Sequence, residues 1–155
     1  MTLATGAAPR TTTSRQARLT ATLWLGFALT VVATVVPFVD AATTRELADH
    51  VRAGYPAYTA REVDAAVAAY LAILATVGVL GIVGWLVTIR GAHRGRRWTA
   101  AVATGLLVVG AGLALTGLTV TDTSGDVGLA PAVAWFQVLP CLPGVAAVVM
   151  LWRRR

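Results

Sequence analysis

The sequence predicts an all-α, integral membrane four-helix bundle with both termini cytoplasmic and a short amphipathic helix in the first outer loop. Three observations predict it. First, 57% of the 155 residues are hydrophobic and only 13% charged, with a mean hydropathy of +0.71; a water-soluble domain carries about 25% charged residues and could not cover its surface with so few. Second, four stretches contain no charged residue, 19–39, 65–89, 98–121 and 131–152, and about 20 apolar residues suffice for a helix to cross the hydrocarbon layer. Third, the charges sort by segment, which gives the chain a direction.

The basic tail 1–18 carries Arg10, Arg15 and Arg18. It leads into the first span, 19–39. That tail, the apolar run and Val39-Asp40-Ala41 also have the outline of a signal peptide with a cleavage site. The run exceeds the usual apolar core of about 7–15 residues, so the expectation is a retained span. The outer loop 40–64 holds two S/T-x-x-E patterns, Thr43–Glu46 and Thr59–Glu62, each able to form a reciprocal capping box. The first is expected to start a short helix over Thr44–Ala53 ending at Gly54, with Leu47, Ala48 and Val51 on one face along the membrane surface. Tyr55-Pro56-Ala57-Tyr58 forms the turn, since proline discourages helix at the residue before it, and the second box starts the helix of span 65–89. His50, beside Glu46 and Asp49, is too sparse a set for a metal and reads as a solvated histidine.

The inner loop 90–97 contributes Arg90, Arg94, Arg96 and Arg97, followed by span 98–121. The outer loop 122–130 begins Asp122-Thr123-Ser124-Gly125-Asp126. This starts like a calcium loop but lacks the downstream bidentate glutamate, and so reads as a turn. Pro131 suits the first turn of the last span, 131–152, and the tail 153–155 is three arginines.

Ten arginines thus fall on one side, and only Arg45, Arg52 and Arg61 on the other, together with all seven acids. Basic residues near span ends stay cytoplasmic, which places both termini inside a cell inner (plasma) membrane. Trp24, Trp85, Trp98 and Trp152 lie toward the inner ends, and Phe38, Tyr70, Trp135 and Phe136 toward the outer ends, as interfacial aromatic belts require. The net charge of +6 and a pI near 11.0 would suggest nucleic acid on a soluble protein, but this segregation makes the bilayer the partner.

Within the spans no side chain is charged at neutral pH, and the lone Cys141 can form neither an intramolecular disulfide nor a multi-cysteine zinc site. Gln137 is the one strong polar group, expected to hydrogen-bond another helix. Thr22, Thr30, Thr34, Thr76, Thr104 and Thr116 can return their hydroxyls to the preceding turn. Gly78, Gly81 and Gly84 form a smooth stripe in span two. Span three offers Gly105, Gly110 and Gly112 in small-xxx-small pairs, and span four Gly144 with Ala147. Such spacing allows close backbone approach, inside one bundle or across a homodimer. Pro140-Cys141-Leu142-Pro143 removes two backbone donors and predicts a break in span four. With Gln137 one turn away, Gln137, Pro140, Cys141 and Pro143 form the candidate polar pocket. Leu106–Gly112 resembles the opening of a dinucleotide fingerprint, but the third glycine would fall at Leu115 and no βαβ unit fits around it.

Small multidrug transporters carry an acidic residue in span one, absent here, and quinone-linked thiol oxidases need cysteine pairs. The pattern Tyr55-Pro56, Glu62-Val63-Asp64-Ala65-Ala66-Val67, the glycine-rich span and Arg94-Gly95-Arg96-Arg97-Trp98 resembles small uncharacterised four-span membrane proteins of actinobacteria, best over spans two and three. That resemblance implies no activity. The expected role is a non-enzymatic scaffold or interaction component, alone, as a homodimer or within a larger membrane complex. It needs no catalytic, cofactor or metal site, and its basic loop lies against anionic headgroups at about 1 kcal/mol per arginine. The alternative is a small transporter or permease component using the broken fourth span.

Overall fold

The computed structural model describes residues 10–121, 125, 127 and 129–154, with side chains from Ser14 onward. The tail residues 1–9, the acids Asp122 and Asp126 of the expected turn, and Arg155 lie outside the described residues. Among the described residues six helices follow in order: α1 Arg10–Ala42, α2 Glu46–Gly54, α3 Ala60–His93, α4 Thr99–Thr119, α5 Pro131–Val138 and α6 Cys141–Trp152. Among the described residues the only β pairing is an isolated antiparallel bridge between Thr121 and Val127. Four helical segments among the described residues are long and apolar enough to cross a membrane: α1, α3, α4, and α5 with α6 taken together. Leu80, Val108 and Leu142 are each about two-thirds exposed, the kind of apolar surface that marks contact with a membrane or a protein partner.

The segments pack in a ring, α1 beside α3, α3 beside α4, α4 beside α5/α6, and α5/α6 back beside α1. Two hydrophobic cores lie at opposite ends. At the basic end, Leu19 and Leu23 of α1 pack with Ile89, Ala100, Ala103, Ala147 and Leu151. At the acidic end, Leu47, Ala48 and Val51 of α2 close over Val63 and Val67 of α3 and Val133 and Ala134 of α5. Helix α2 therefore turns its apolar stripe into the protein, not onto the lipid surface, with Leu47 fully buried.

The start of α2 departs from the expected capping box. Thr43 Oγ1 donates to the Val39 carbonyl at 2.6 Å, back within α1. The cap is Asp40, at the end of α1. Its carbonyl accepts the N–H groups of Thr43 and Arg45. Its carboxylate accepts the hydroxyl of Thr44 and the N–H groups of Glu46 (3.0 Å) and Leu47 (3.1 Å), the first donors of α2. A carboxylate fits this place because the first turn presents unpaired N–H groups and positive dipole charge. The turn holds Arg45 in the left-handed region, φ 57°, and α2 begins at Glu46, two residues later than expected. The second box forms as expected, with Thr59 and Glu62 bonded reciprocally. His50 is not solvated: half-buried, it donates from Nε2 to the Val127 carbonyl at 2.7 Å, tying α2 to the second loop of this end.

At the basic end α3 stops in a Schellman turn. Gly95 takes φ 61°, and the N–H groups of Gly95 and Arg96 return to the carbonyls of Ala92 and Gly91. Glycine suits the left-handed position such a turn requires. The hairpin is tight, and Arg90, Arg94, Arg96 and Arg97 are all exposed around it.

Candidate functional site: a lateral cleft between α3 and α4

Two seams of α3 define the site. Toward α1 the seam is closed. A Cβ placed on Gly78 would lie 2.2 Å from Thr34 Oγ1, one on Gly81 would lie 3.1 Å from Thr30, and one on Gly26 of α1 would lie 2.2 Å from the Trp85 ring. The Trp85 indole donates to Thr30 Oγ1 at 2.8 Å, and Thr30 in turn donates to the Gly26 carbonyl at 2.9 Å. Small residues let the helices approach, and the hydrogen bond fixes the register.

Toward α4, at the basic end, Gly84 meets Leu106 and Gly91 meets Thr99 and Trp98. The two helices frame a cavity of about 520 Å³, reaching along α3 from Tyr70 to Thr88, roughly 27 Å at about 1.5 Å per residue. Its back wall is Thr30, Ala33 and Thr34 of α1 with Gln137, Pro140, Cys141 and Gly144 of the fourth span. These back-wall residues are buried or half-buried. The exposed lining residues belong to the two lips, such as Ile73 (61%) and Leu80 (65%) on α3 and Val109 (61%) and Leu113 (45%) on α4. The mouth therefore opens sideways, and the two end cores close it above and below. A sealed void of this volume would cost about 12 kcal/mol at about 24 cal/mol per Å³, as much as a domain's whole stability; this recess is open along its side.

The lining is mostly apolar, with hydroxyls of Thr30 and Thr34 on the back wall and of Tyr70, Thr88, Thr116 and Thr121 on the α3 and α4 sides. Thr30, Thr34, Thr88 and Thr116 donate to the carbonyls of Gly26, Thr30, Gly84 and Gly112. Gln137 is different. Its Nε2 donates to the carbonyl of Ala33 at 3.3 Å. Pro37 lies inside α1, four residues beyond Ala33, and proline has no N–H to return to that carbonyl. The side chain of span four thus satisfies the acceptor that Pro37 leaves open in span one. Span four is interrupted at Leu139 and Pro140, both with right-handed helical φ and ψ, so the break is a displaced turn and not an unwound strand.

Of the four pocket candidates, Gln137, Pro140 and Cys141 line the cleft, whereas Pro143 is buried and is not part of its wall. Among the glycines, Gly78, Gly81 and Gly84 pack inside the chain, and Gly144 sits 3.0 Å from Leu107 by the same measure. Gly105 and Gly112 do not pack within the chain: among the described residues nothing lies within 4 Å of where their Cβ atoms would be, because they point away from the bundle. Gly110 is equally open, but it lines the cleft. Two features went unread in the sequence, the cap at Asp40 and the Pro37–Gln137 partnership. Both were signalled: an acid follows a span directly, and a proline four residues after Ala33 marks that carbonyl as free.

Comparison with family models, curated proteins and solved structures finds no match to this chain.

Proposed function

We propose that this protein is a non-enzymatic interaction component of the inner membrane, a four-span bundle with both termini cytoplasmic, whose working surface is the cleft between α3 and α4. One observation carries the reading: a large recess opens sideways between two long apolar helices, with packed cores at the two ends of the bundle. Such a recess is reached from within the bilayer, by a membrane-borne apolar molecule or segment. Its volume lies in the range of about 300–1,000 Å³ usual for ligand sites. The scaffold role and kinship with small actinobacterial four-span proteins belong to the same proposal, as does the seating of Arg90, Arg94, Arg96 and Arg97 on anionic headgroups. A homodimer would need a face other than the span-two stripe, which α1 and Leu106 already occupy.

A photo-crosslinking side chain in place of Leu113, on the lip, should give a saturable one-to-one adduct in native membranes. The same group in place of Val108, exposed beyond the lip, should give only diffuse lipid labelling. Equal labelling from both positions would retire the proposal. A transporter component is the second reading, favoured by the break at Pro140 and Cys141 bordering the same cleft. It expects solute-dependent stabilisation that is lost in Gln137→Ala.

A further inference from the structure

The cleft carries a statement about its ligand, which rests on the reading of the cleft as a binding surface. Gln137 lines the back wall about 9 Å, six residues at about 1.5 Å each, from the Pro131 end of α5. Its amide offers two donors and one acceptor oxygen with two lone pairs. Among the described residues it makes one hydrogen bond, from Nε2 to Ala33. The second N–H and Oε1 therefore stand unpaired on the wall of an apolar recess at hydrocarbon depth, where an unpaired polar group is unfavourable. An ordinary acyl chain would leave them so. A charged group is excluded, because the lining holds no counter-charge and a bare charge at this depth is expensive. A carbonyl ligand would pair the N–H and leave Oε1 open. A hydroxyl donates to Oε1 and can accept from the free N–H, so one group satisfies the amide.

We propose that the α3–α4 cleft binds a neutral long-chain alcohol, entering laterally from the bilayer, with its hydroxyl on the Gln137 amide and its chain along the glycine-bearing walls at Gly81 and Gly110. Ile73 and Leu113, on the two lips, line the cleft and are exposed at its mouth.

The test uses the full chain in lipid nanodiscs with two photoactivatable probes of equal length, a 16-carbon alcohol and its hydrocarbon counterpart, each carrying a mid-chain diazirine. Adducts are mapped by mass spectrometry. The alcohol should label cleft-lining peptides at least ten-fold more strongly than the hydrocarbon. Gln137→Leu alone loses the Ala33 bond and can unsettle the fold, so the informative variant is the pair Pro37→Ala with Gln137→Leu, in which residue 37 regains an N–H for Ala33. With its thermal transition retained, that variant should label equally with both probes. Gly110→Leu, which adds bulk where nothing lies within 4 Å, should abolish cleft labelling by both. Equal labelling of the wild type by the two probes, or a preference surviving in the double variant, overturns the alcohol proposal and leaves the cleft a binding surface. No cleft labelling by either probe overturns both.

Discussion

Helix α3 meets two neighbours along glycine-bearing seams, and the seams differ. Against α1, each glycine faces a side chain of matching shape: Thr34 fills the space at Gly78, Thr30 that at Gly81, and Trp85 reaches across to Gly26. Against α4, the glycines nearest the basic end find partners in Leu106 and Thr99, but Gly110, which lines the cleft, finds none. Small residues permit close approach without causing it. Closure comes from β-branched or aromatic side chains on the facing helix, because in lipid the gain lies in contact and hydrogen bonding and not in escape from water.

The sharpest way to break this comparison is to add a methyl group to the closed seam. Gly78→Ala places Cβ 2.2 Å from Thr34 Oγ1 and 2.8 Å from Thr34 Cβ, atoms held close to the α1 backbone with little freedom to move. The expected loss is about 2–3 kcal/mol, the upper part of the range for overpacking, measured by reversible unfolding in mixed micelles. A loss under about 0.5 kcal/mol would mean that the α1–α3 seam is looser than its distances imply.

Next in size is the tie between spans one and four. Gln137→Leu removes the donor to Ala33 and leaves a carbonyl without a partner, at about 1–2 kcal/mol. In a Pro37→Ala background the same change should cost close to nothing, since the backbone N–H at position 37 then serves Ala33. A double-mutant cycle reads this as a coupling of about 1 kcal/mol, and strict additivity would dissolve the pairing.

The acidic end should respond locally. Asp40→Ala removes the cap that accepts from Glu46 and Leu47, worth about 1 kcal/mol. Amide exchange should quicken across Glu46–Val51 while the Gly78 seam keeps its protection. Uniform acceleration would show that α2 and the bundle open together.

The sequence displayed the spans plainly, because a charge-free run of this length has one stable environment. It displayed the second capping box for a similar reason: Thr59 and Glu62 are a local pair whose geometry needs nothing else. Asp40 was harder. It caps a helix from the far side of a turn, so the nearer Thr43 looked sufficient until that hydroxyl bonded back to Val39. The cleft was not legible at all. Gly78 and Gly110 are the same residue in similar apolar surroundings, and whether each is filled depends on side chains in other helices. Gln137 stood out as polar, but its role needed Pro37 brought alongside, 100 positions away in the chain.

The smallest effect gives the finest test of the open seam. Gly110→Ala and Gly105→Ala each add a methyl where nothing lies within 4 Å. Each replaces a poor helix former with a good one and should gain about 0.5 kcal/mol. Gly105 points away from the bundle and Gly110 into the cleft, so the pair separates intrinsic helix preference from the state of the recess. In delipidated detergent the two gains should match. If Gly110→Ala instead loses stability as Gly78→Ala does, α4 rests against α3 along its whole length and the contrast between the seams disappears. If the gains match in detergent but Gly110→Ala falls behind in native membranes, the missing fraction measures how closely a resident molecule packs against that glycine.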